Sequence, residues 1–209
     1  MSNLPFLDQR HRICIISEGG EDNAYIKKLI ALQVWNSIYD IKPIDVGSAS
    51  SIFPRYQSLY QNNSFAAILV FCDTDKYPYK EYKLIKKKIN EFHNKTSASS
   101  KVVIFANPCT MQIILSHFGD IILKTQSKKT NAPIIYDLTG VKDYDAHEEQ
   151  VKAICKQITK SNYKEMKKRI AKINFGDETS GSTNFIDFID KFESNEPKWI
   201  KAIEQALRE

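Results

Sequence analysis

The chain has 209 residues, of which 42% are hydrophobic and 26% are charged, so it can bury a sizeable core and is not a disordered chain. Its formal net charge of +5 permits a polyanionic partner such as nucleic acid, although a solvated surface with surplus lysine has the same composition. No apolar run approaches the roughly 18 residues of a membrane span, and the first residues form no apolar signal region, so we expect a cytoplasmic protein without membrane contacts.

The four cysteines form neither a zinc pattern nor a redox pair. None of them lies in a C-x-x-C pair, and no Cys/His spacing is typical of a zinc site. Cys14 and Cys72 lie within apolar runs, where buried free thiols are expected. The cysteines therefore predict no zinc site and are expected to be reduced.

The first half of the chain alternates between predicted strands and predicted helices. Short apolar runs predict strands at about residues 12–17, 41–46, 65–72 and 101–106. Helical patterns lie between them at about residues 21–39, 47–62 and 79–93. This β-α-β-α-β-α-β order predicts an α/β fold with a mostly parallel sheet flanked by crossover helices.

The second half is predicted to be mainly helical. A short helix is expected at about residues 108–117, followed by a lysine-rich loop at 119–133. Further helices are expected at 143–160, 162–172, 184–193 and 197–208. We expect one domain over residues 1–209, with the α/β core at about 12–118 and a helical C-terminal part at about 119–209.

Acidic side chains follow two of the predicted strands. Glu18 ends the first strand, and Asp73 and Asp75 follow the third. Ligands of parallel sheets bind at the carboxyl ends of the strands, and residues two apart on an extended backbone point the same way. If the two strands are neighbours, the three carboxylates meet and require a hard cation such as Mg²⁺. The alternative is that acidic residues simply favour strand-end turns.

These acidic motifs resemble the TOPRIM domain of topoisomerases, primases and OLD-type nucleases, in which E-G follows strand one and D-x-D follows a later strand. More narrowly, the chain resembles the RloB-like group of TOPRIM proteins. Three further stretches carry that resemblance: Glu18-Gly19-Gly20-Glu21 followed by Tyr25, Asn107-Pro108-Cys109 leading to His117-Phe118, and Ser182-Thr183-Asn184. The chain departs from the group where Thr110-Met111 replaces an aromatic-acid pair and Ile113 replaces a tryptophan.

The resemblance implies a nuclease that depends on Mg²⁺ or Mn²⁺ and cleaves DNA or RNA, with tRNA included, as an effector of bacterial anti-phage defence. Asp73 and Asp75 would hold the metal, and Glu18 would act as general base or third ligand. Glu21 would be a further metal ligand, or else an acid that stabilises the first turn of its helix. The resemblance also allows an ATPase partner protein and assembly into a homo-oligomer. The alternative is a non-catalytic TOPRIM module that binds nucleic acid or a partner protein.

Basic residues and one histidine complete the predicted site. Lys76, directly after the D-x-D motif, is expected to contact phosphate. Lysine runs that include Lys86, Lys87 and Lys128 are candidates for holding the nucleic-acid backbone, or else form solvated helix faces. His117 is a candidate catalytic group, with a structural role at a helix end as the alternative.

Overall fold

A four-stranded, all-parallel sheet forms the centre of the molecule. The structure is a computed structural model that describes residues 11–75 and 77–208. The strands lie side by side in the order β2-β1-β3-β4. Their bounds are β1 His11–Ser17, β2 Tyr39–Asp45, β3 Ala67–Asp73 and β4 Val103–Ala106.

Ten helices surround this sheet within the described part of the chain. Six of them follow β4 and form the helical C-terminal part. Their bounds are α1 Gly20–Ala31, α2 Ala49–Gln61, α3 Lys80–Phe92, α4 Ala98–Val102, α5 Met111–Leu115, α6 Lys128–Thr139, α7 Glu148–Lys156, α8 Lys160–Lys172, α9 Phe185–Glu193 and α10 Lys198–Arg208. The predicted fold class is therefore confirmed: the chain is α/β, with a parallel sheet flanked by helices and a helical C-terminal part, an architecture consistent with a TOPRIM-like fold.

The burial of each strand follows from its place in the sheet. The central strands β1 and β3 are continuous apolar runs, and Ile13–Ile16 and Leu69–Cys72 are fully buried, as expected for strands covered on both faces. β2 lies at an edge, where the exposed Lys42 and the proline at position 43 are tolerated. The order 2-1-3-4 with right-handed crossovers places α1 on one face and α2 and α3 on the other.

The C-terminal helices pack onto the core of the sheet. α7 contacts α1, α9 contacts β4, and α10 contacts β3 and α4. Phe185 of α9 stacks on Phe71 of β3, with 5.5 Å between the ring centroids. Burial of such aromatic side chains fixes the helices on the sheet.

The outer edge of β4 is covered by the segment that precedes α9. Thr183 forms an antiparallel bridge with Ala106. The Asn184 amide accepts a hydrogen bond from the Phe105 N–H at 2.8 Å and donates one to the Val103 carbonyl at 2.9 Å. A side chain thus takes the place of a neighbouring strand along this edge.

Several predicted boundaries differ from the structure. The polar residues 98–102, expected as loop and strand, form α4, and β4 begins only at Val103. The loop expected at 119–133 gives way to a helix at Lys128, where the Ser127 hydroxyl caps the helix by accepting from the Thr130 N–H. The helix expected at 143–160 is shorter and begins at Glu148.

All four cysteines are buried free thiols, as predicted for Cys14 and Cys72. Among the helices of the described residues, none combines the length and the apolarity that crossing a bilayer requires.

Candidate metal and active site

The ends of β1 and β3 bring the predicted acids together. The two strands are neighbours and pair in register from Ile13 with Ala67 to Ser17 with Phe71. A cavity of about 1030 Å³ lies beyond these strand ends, between α1, α6 and α7. Five of the carboxylates that line it come from the end of β1, the start of α1 and the end of β3: Glu18, Glu21, Asp22, Asp73 and Asp75.

Asp22 and Asp73 form the inner pair of carboxylates. Asp22 is only 5% exposed. Burial, with the charges of Glu21 and Glu18, raises its pKa to about 7, although a hydrogen bond with Thr110 acts in the opposite direction. Burial, with the charge of Asp22, raises the pKa of Asp73 well above its usual range. These two carboxylates repel each other in a site shielded from water, which favours a bound cation.

Thr110 fixes the orientation of Asp73. The Thr110 N–H donates to Asp73 Oδ1 at 2.7 Å, and the Thr110 hydroxyl donates to the same oxygen at 2.9 Å. The Gly19 N–H similarly donates to Asp22 Oδ2 at 3.3 Å. The protein therefore holds Asp73 through Oδ1, whereas Asp22 has hydrogen bonds with both Gly19 and Thr110.

Glu18 and Asp75 form the outer pair. Burial and then the charges of Asp75 and Glu81 raise the pKa of Glu18, and a hydrogen bond from the Ala49 N–H at the start of α2 opposes them. Burial and the charge of Glu81 likewise raise the pKa of Asp75. Glu81, on α3, was not among the predicted site residues.

Asp75 reaches the cavity by a different route from the one predicted. The D-x-D spacing was expected to aim both aspartates along one extended strand, but β3 ends at Asp73. Asp75 has a left-handed backbone with φ of 59°, and its N–H donates to the Pro108 carbonyl at 3.1 Å. Aspartate is one of the few side chains tolerated in that conformation.

Glu21 faces Tyr144 across the cavity. The Tyr144 hydroxyl donates to Glu21 Oε2. Burial raises the pKa of Glu21, and this hydrogen bond and the charge of Lys128 only partly offset the rise. Glu21 thus touches the wall made by the segment before α7. That contact gives it a structural partner in addition to its place beside Asp22.

Unpartnered buried polar atoms flank the carboxylates. Among the described residues, three buried side-chain polar atoms lack a hydrogen-bond partner: Ser17 Oγ, Asn23 Oδ1 and Thr74 Oγ1. Ser17 precedes Glu18, Asn23 lines the cavity, and Thr74 lies between Asp73 and Asp75. Buried polar atoms are normally satisfied, so their clustering here fits a site that binds hydrated ions.

The carboxylates are arranged in pairs rather than in the predicted trio. Among residues 11–75 and 77–208, no three acidic, histidine or cysteine side chains converge closely enough to hold a metal ion as they stand. Mg²⁺ in phosphate-handling sites commonly takes one or two carboxylates and completes its shell with water and substrate oxygens. The inner and the outer pair each fit that chemistry.

His117 does not reach the acidic cavity. It is 2% exposed and lies between α1 and α8, where Nε2 bonds the Tyr25 hydroxyl at 2.9 Å and Nδ1 bonds the Asn162 amide oxygen at 3.3 Å. Burial lowers its pKa to about 4. The structure therefore supports the structural alternative for this histidine, because an enclosed neutral imidazole with both nitrogens bonded has no access to a substrate.

The predicted basic residues separate into two surfaces. Lys86 and Lys87 lie on the α3 face, which we define as Lys83, Lys86 and Lys87, and which borders a separate groove. Lys128 belongs to the cavity mouth, defined as the lysines of α1, α6 and α7 that line the acidic cavity and have no carboxylate partner among the described residues. These are Lys27, Lys28, Lys128 and Lys156. Lys76 lies outside the described residues.

Sequence reasoning missed Asp22 as a site residue and treated Met111 only as a departure from the resembled group. Asp22 stands one residue after Glu21 and four after Glu18, so helical spacing from the strand end could have found it. Met111, which stands where the RloB-like group has an acid, is nearly buried and lines the cavity. That wall is therefore apolar here.

Comparison with known proteins gives one similar structure. No protein-family model matches the chain, and no curated protein sequence is significantly similar to it. Among solved structures, the chain is similar to the C-terminal region of the Burkholderia pseudomallei OLD protein, with 11% identity and a TM-score of 0.42. The similarity covers 94% of this chain and 98% of that one.

Proposed function

We propose that this chain is a TOPRIM-like nuclease that hydrolyses phosphodiester bonds with Mg²⁺ or Mn²⁺. The observation that carries the proposal is the convergence of five carboxylates from β1, α1 and β3 on one cavity. Their pKa values are all raised by burial, and those of Glu18, Asp22, Asp73 and Asp75 also by neighbouring carboxylates. Such a cluster is costly without cations, whereas a metal-dependent phosphoryl-transfer site requires it.

Asp73 and Asp22 would together hold one cation, Asp73 through the oxygen that Thr110 leaves free. Asp75 would hold a second cation or share the first, with Glu21 behind Asp22. The metal would neutralise charge on the phosphate oxygens as the substrate reacts. Thr110 would keep Asp73 in one orientation, which limits the rearrangement needed when substrate binds.

Glu18 would act as the general base. It would take a proton from a water molecule whose oxygen attacks phosphorus, while the bond from phosphorus to the leaving sugar oxygen breaks and that oxygen is protonated by solvent. A carboxylate whose pKa is raised above its usual value is a stronger base for this step. The products would be one strand end with a phosphate and one with a hydroxyl.

The narrower assignments rest on the sequence motifs. We propose membership of the RloB-like group on the E-G, D-x-D, N-P and S-T-N stretches. A role in anti-phage defence and cooperation with an ATPase partner are proposed only as what that resemblance implies. The choice between DNA and RNA, with tRNA included, belongs to the same set of proposals.

The direct test is cleavage of labelled single-stranded DNA, duplex DNA and RNA by the purified protein with Mg²⁺ or Mn²⁺. We expect Asp73→Asn and Glu18→Gln to lower the rate by about 100-fold or more, because the first removes a proposed metal ligand and the second the proposed general base. Asp45→Asn is the matched control. Asp45 also ends a strand at this edge, but its carboxylate is exposed and bonds the Gly47 N–H. Equal rates in all four proteins would contradict the proposal.

A non-catalytic module is the second candidate, and Met111 favours it. The apolar side chain replaces an acid of the resembled group, so one carboxylate of the catalytic set would be missing. Calorimetric titration separates the two candidates, since a module without catalytic use for the ion need not retain Mg²⁺ affinity. Binding of Mg²⁺ that is lost in Asp73→Asn supports the nuclease, and no binding to the wild type supports the module.

A further inference from the structure

We propose that the cavity mouth binds the backbone phosphates of a single-stranded polynucleotide, which enters the cavity past Lys28 of α1 and Lys156 of α7. The inference rests on the proposed function, since it names the substrate class of the same cavity. Lys28 and Lys156 are the two lysines assigned to this role, one from each helix.

The two helices that carry these lysines are packed together at the cavity. α1 contacts α7, and the charge of Lys28 on α1 lowers the pKa of Cys155 on α7, against the larger effect of burial. Cys155 directly precedes Lys156, and all three residues line the cavity. The two lysines therefore stand on adjacent helices beside the same opening.

The lysines of the cavity mouth have no carboxylate partner in the part of the chain that the structure describes. Within residues 11–75 and 77–208, neither Lys28 nor Lys156 makes an ion pair, whereas Lys152 of α7 pairs with Glu148 at 2.6 Å. Lys128 of α6 donates to the Asp145 carbonyl at 3.2 Å, and its charge lowers the pKa of Glu21 against the larger effect of burial. Unneutralised cations near a cluster of carboxylates suit a ligand that carries phosphates past the acids.

The shape of the cavity favours a single strand. The inner carboxylates lie near its floor, where Asp22 is nearly buried, and apolar side chains that include Met111, Ile135 and Val151 line the wall. A volume of about 1030 Å³ is of the size that holds one small ligand, about 300–1,000 Å³. A flexible strand can place one nucleotide there, with its base on the apolar wall, whereas a duplex must first unstack that nucleotide.

The test is a fluorescence-anisotropy titration of labelled 20-nucleotide single-stranded DNA, RNA and duplex DNA, in the Asp73→Asn background, with Ca²⁺ and at several salt concentrations. We expect Lys28→Glu combined with Lys156→Glu to lower single-strand affinity at least tenfold. Loss of two phosphate contacts would reduce the slope of log affinity against log salt by about 1.4. The control, Lys83→Glu combined with Lys87→Glu, makes the same charge change on the α3 face and is expected to lower affinity less than threefold.

Equal losses in both double variants, or no loss in the first, would overturn the assignment, and tighter binding of duplex than of single strands would overturn the strand preference. Lys28→Arg combined with Lys156→Arg should retain binding, which separates a charge effect from misfolding. The cleavage assay on the wild-type background is read independently. If the wild type cleaves and Lys28→Glu combined with Lys156→Glu binds normally, only this inference fails. If binding depends on the two lysines and the wild type does not cleave, only the nuclease proposal fails.

Discussion

The α3 face and the cavity mouth are both rich in lysine, but the lysines of the α3 face are paired with carboxylates and those of the cavity mouth are not, among the described residues. On the α3 face, Lys83 pairs with Glu178 at 2.6 Å, Lys86 pairs with Asp177, and Lys87 lies 3.7 Å from Glu91. Burial alone would raise the pKa of Asp177, but hydrogen bonds from Lys86 and Tyr82 outweigh it and hold that pKa below its usual value.

At the cavity mouth, the lysines lack carboxylate partners among the described residues, and the acids below them have raised pKa values. The number of lysines on a surface is therefore not a measure of the positive charge that is available to a ligand. The loop that precedes α9 already neutralises much of the α3 face. Among the described residues, by contrast, the lysines of the cavity mouth form no ion pair with the five carboxylates of the cavity, so both charges are available to a ligand.

Substitution of Asp22 should change the cleavage rate more than the substitutions below change stability, and it tests whether the cavity is a reaction site. We expect Asp22→Asn to lower the cleavage rate by about 100-fold, because it removes half of the inner carboxylate pair. Asp177→Asn, which changes an aspartate on the α3 face in the same way, should retain the wild-type rate. Initial rates with Mg²⁺ measure both, and a comparable loss in the two variants would remove the distinction between the surfaces.

The raised pKa of Asp22 predicts a stability that depends on pH. Because its folded pKa is about 7, against 3.8 for an ordinary aspartate, the carboxyl binds more protons when folded, and its ionisation destabilises the metal-free protein as the pH rises through that interval. In EDTA, Asp22→Asn should therefore have nearly the wild-type Tm at pH 4 and a Tm several degrees higher at pH 8, at about 2–4 °C for each kcal/mol.

Added Mg²⁺ should stabilise the wild type more than Asp22→Asn, and more at pH 8 than at pH 5, because protons compete with the ion. Thermal melts with and without Mg²⁺ at pH 5 and pH 8 measure both differences in stabilisation. A Tm difference that is constant from pH 4 to pH 8 would show that Asp22 titrates normally.

Asp177→Asn is expected to have a moderate effect on the α3 face. The carboxylate accepts from the Tyr82 hydroxyl at 2.8 Å and from Lys86, and so fastens the loop to α3. Its neutralisation should lower the Tm by about 2–6 °C, since a hydrogen bond to a charged group contributes about 1.5–3 kcal/mol and the asparagine keeps part of it. It should also raise polyanion affinity, because Lys86 is released. Unchanged affinity at low salt would mean that the pairing does not control this surface.

The smallest effect is expected at the exposed end of the α3 face. Lys83 and Glu178 are both more than half exposed, so solvent screens their attraction although the two atoms are close. Lys83→Ala should shift the Tm by no more than about 2 °C. A larger drop, measured by calorimetry at two salt concentrations, would show that this pair fixes the loop.

The sequence predicted the parts of the site that depend on strand order. Continuous apolar runs indicated β1 and β3, and their carboxyl-terminal acids, Glu18 and Asp73, line one cavity because the strands are neighbours. Local spacing along the chain was enough for this, since hydrophobic periodicity and turn residues are encoded locally.

The remaining features depend on contacts between distant positions. Asp177 reaches Lys86 across 91 positions, and His117 meets Tyr25 across 92, so no local pattern separates a free lysine from a paired one or a catalytic histidine from a buried one. Asp75 differs for another reason: its backbone turns left-handed where the pattern predicted extension, because its N–H bonds to Pro108.

The Asn184 side chain at the edge of β4 bears on how copies of this chain can associate. An open strand edge is a template on which another chain can add a strand, and many proteins assemble or aggregate in that way. Here the amide of Asn184 occupies the Phe105 N–H and the Val103 carbonyl, and the Thr183 hydroxyl donates to the Phe105 carbonyl at 2.6 Å. Growth of the sheet past β4 is therefore blocked, and any homo-oligomer has to use helical surfaces or the β2 side.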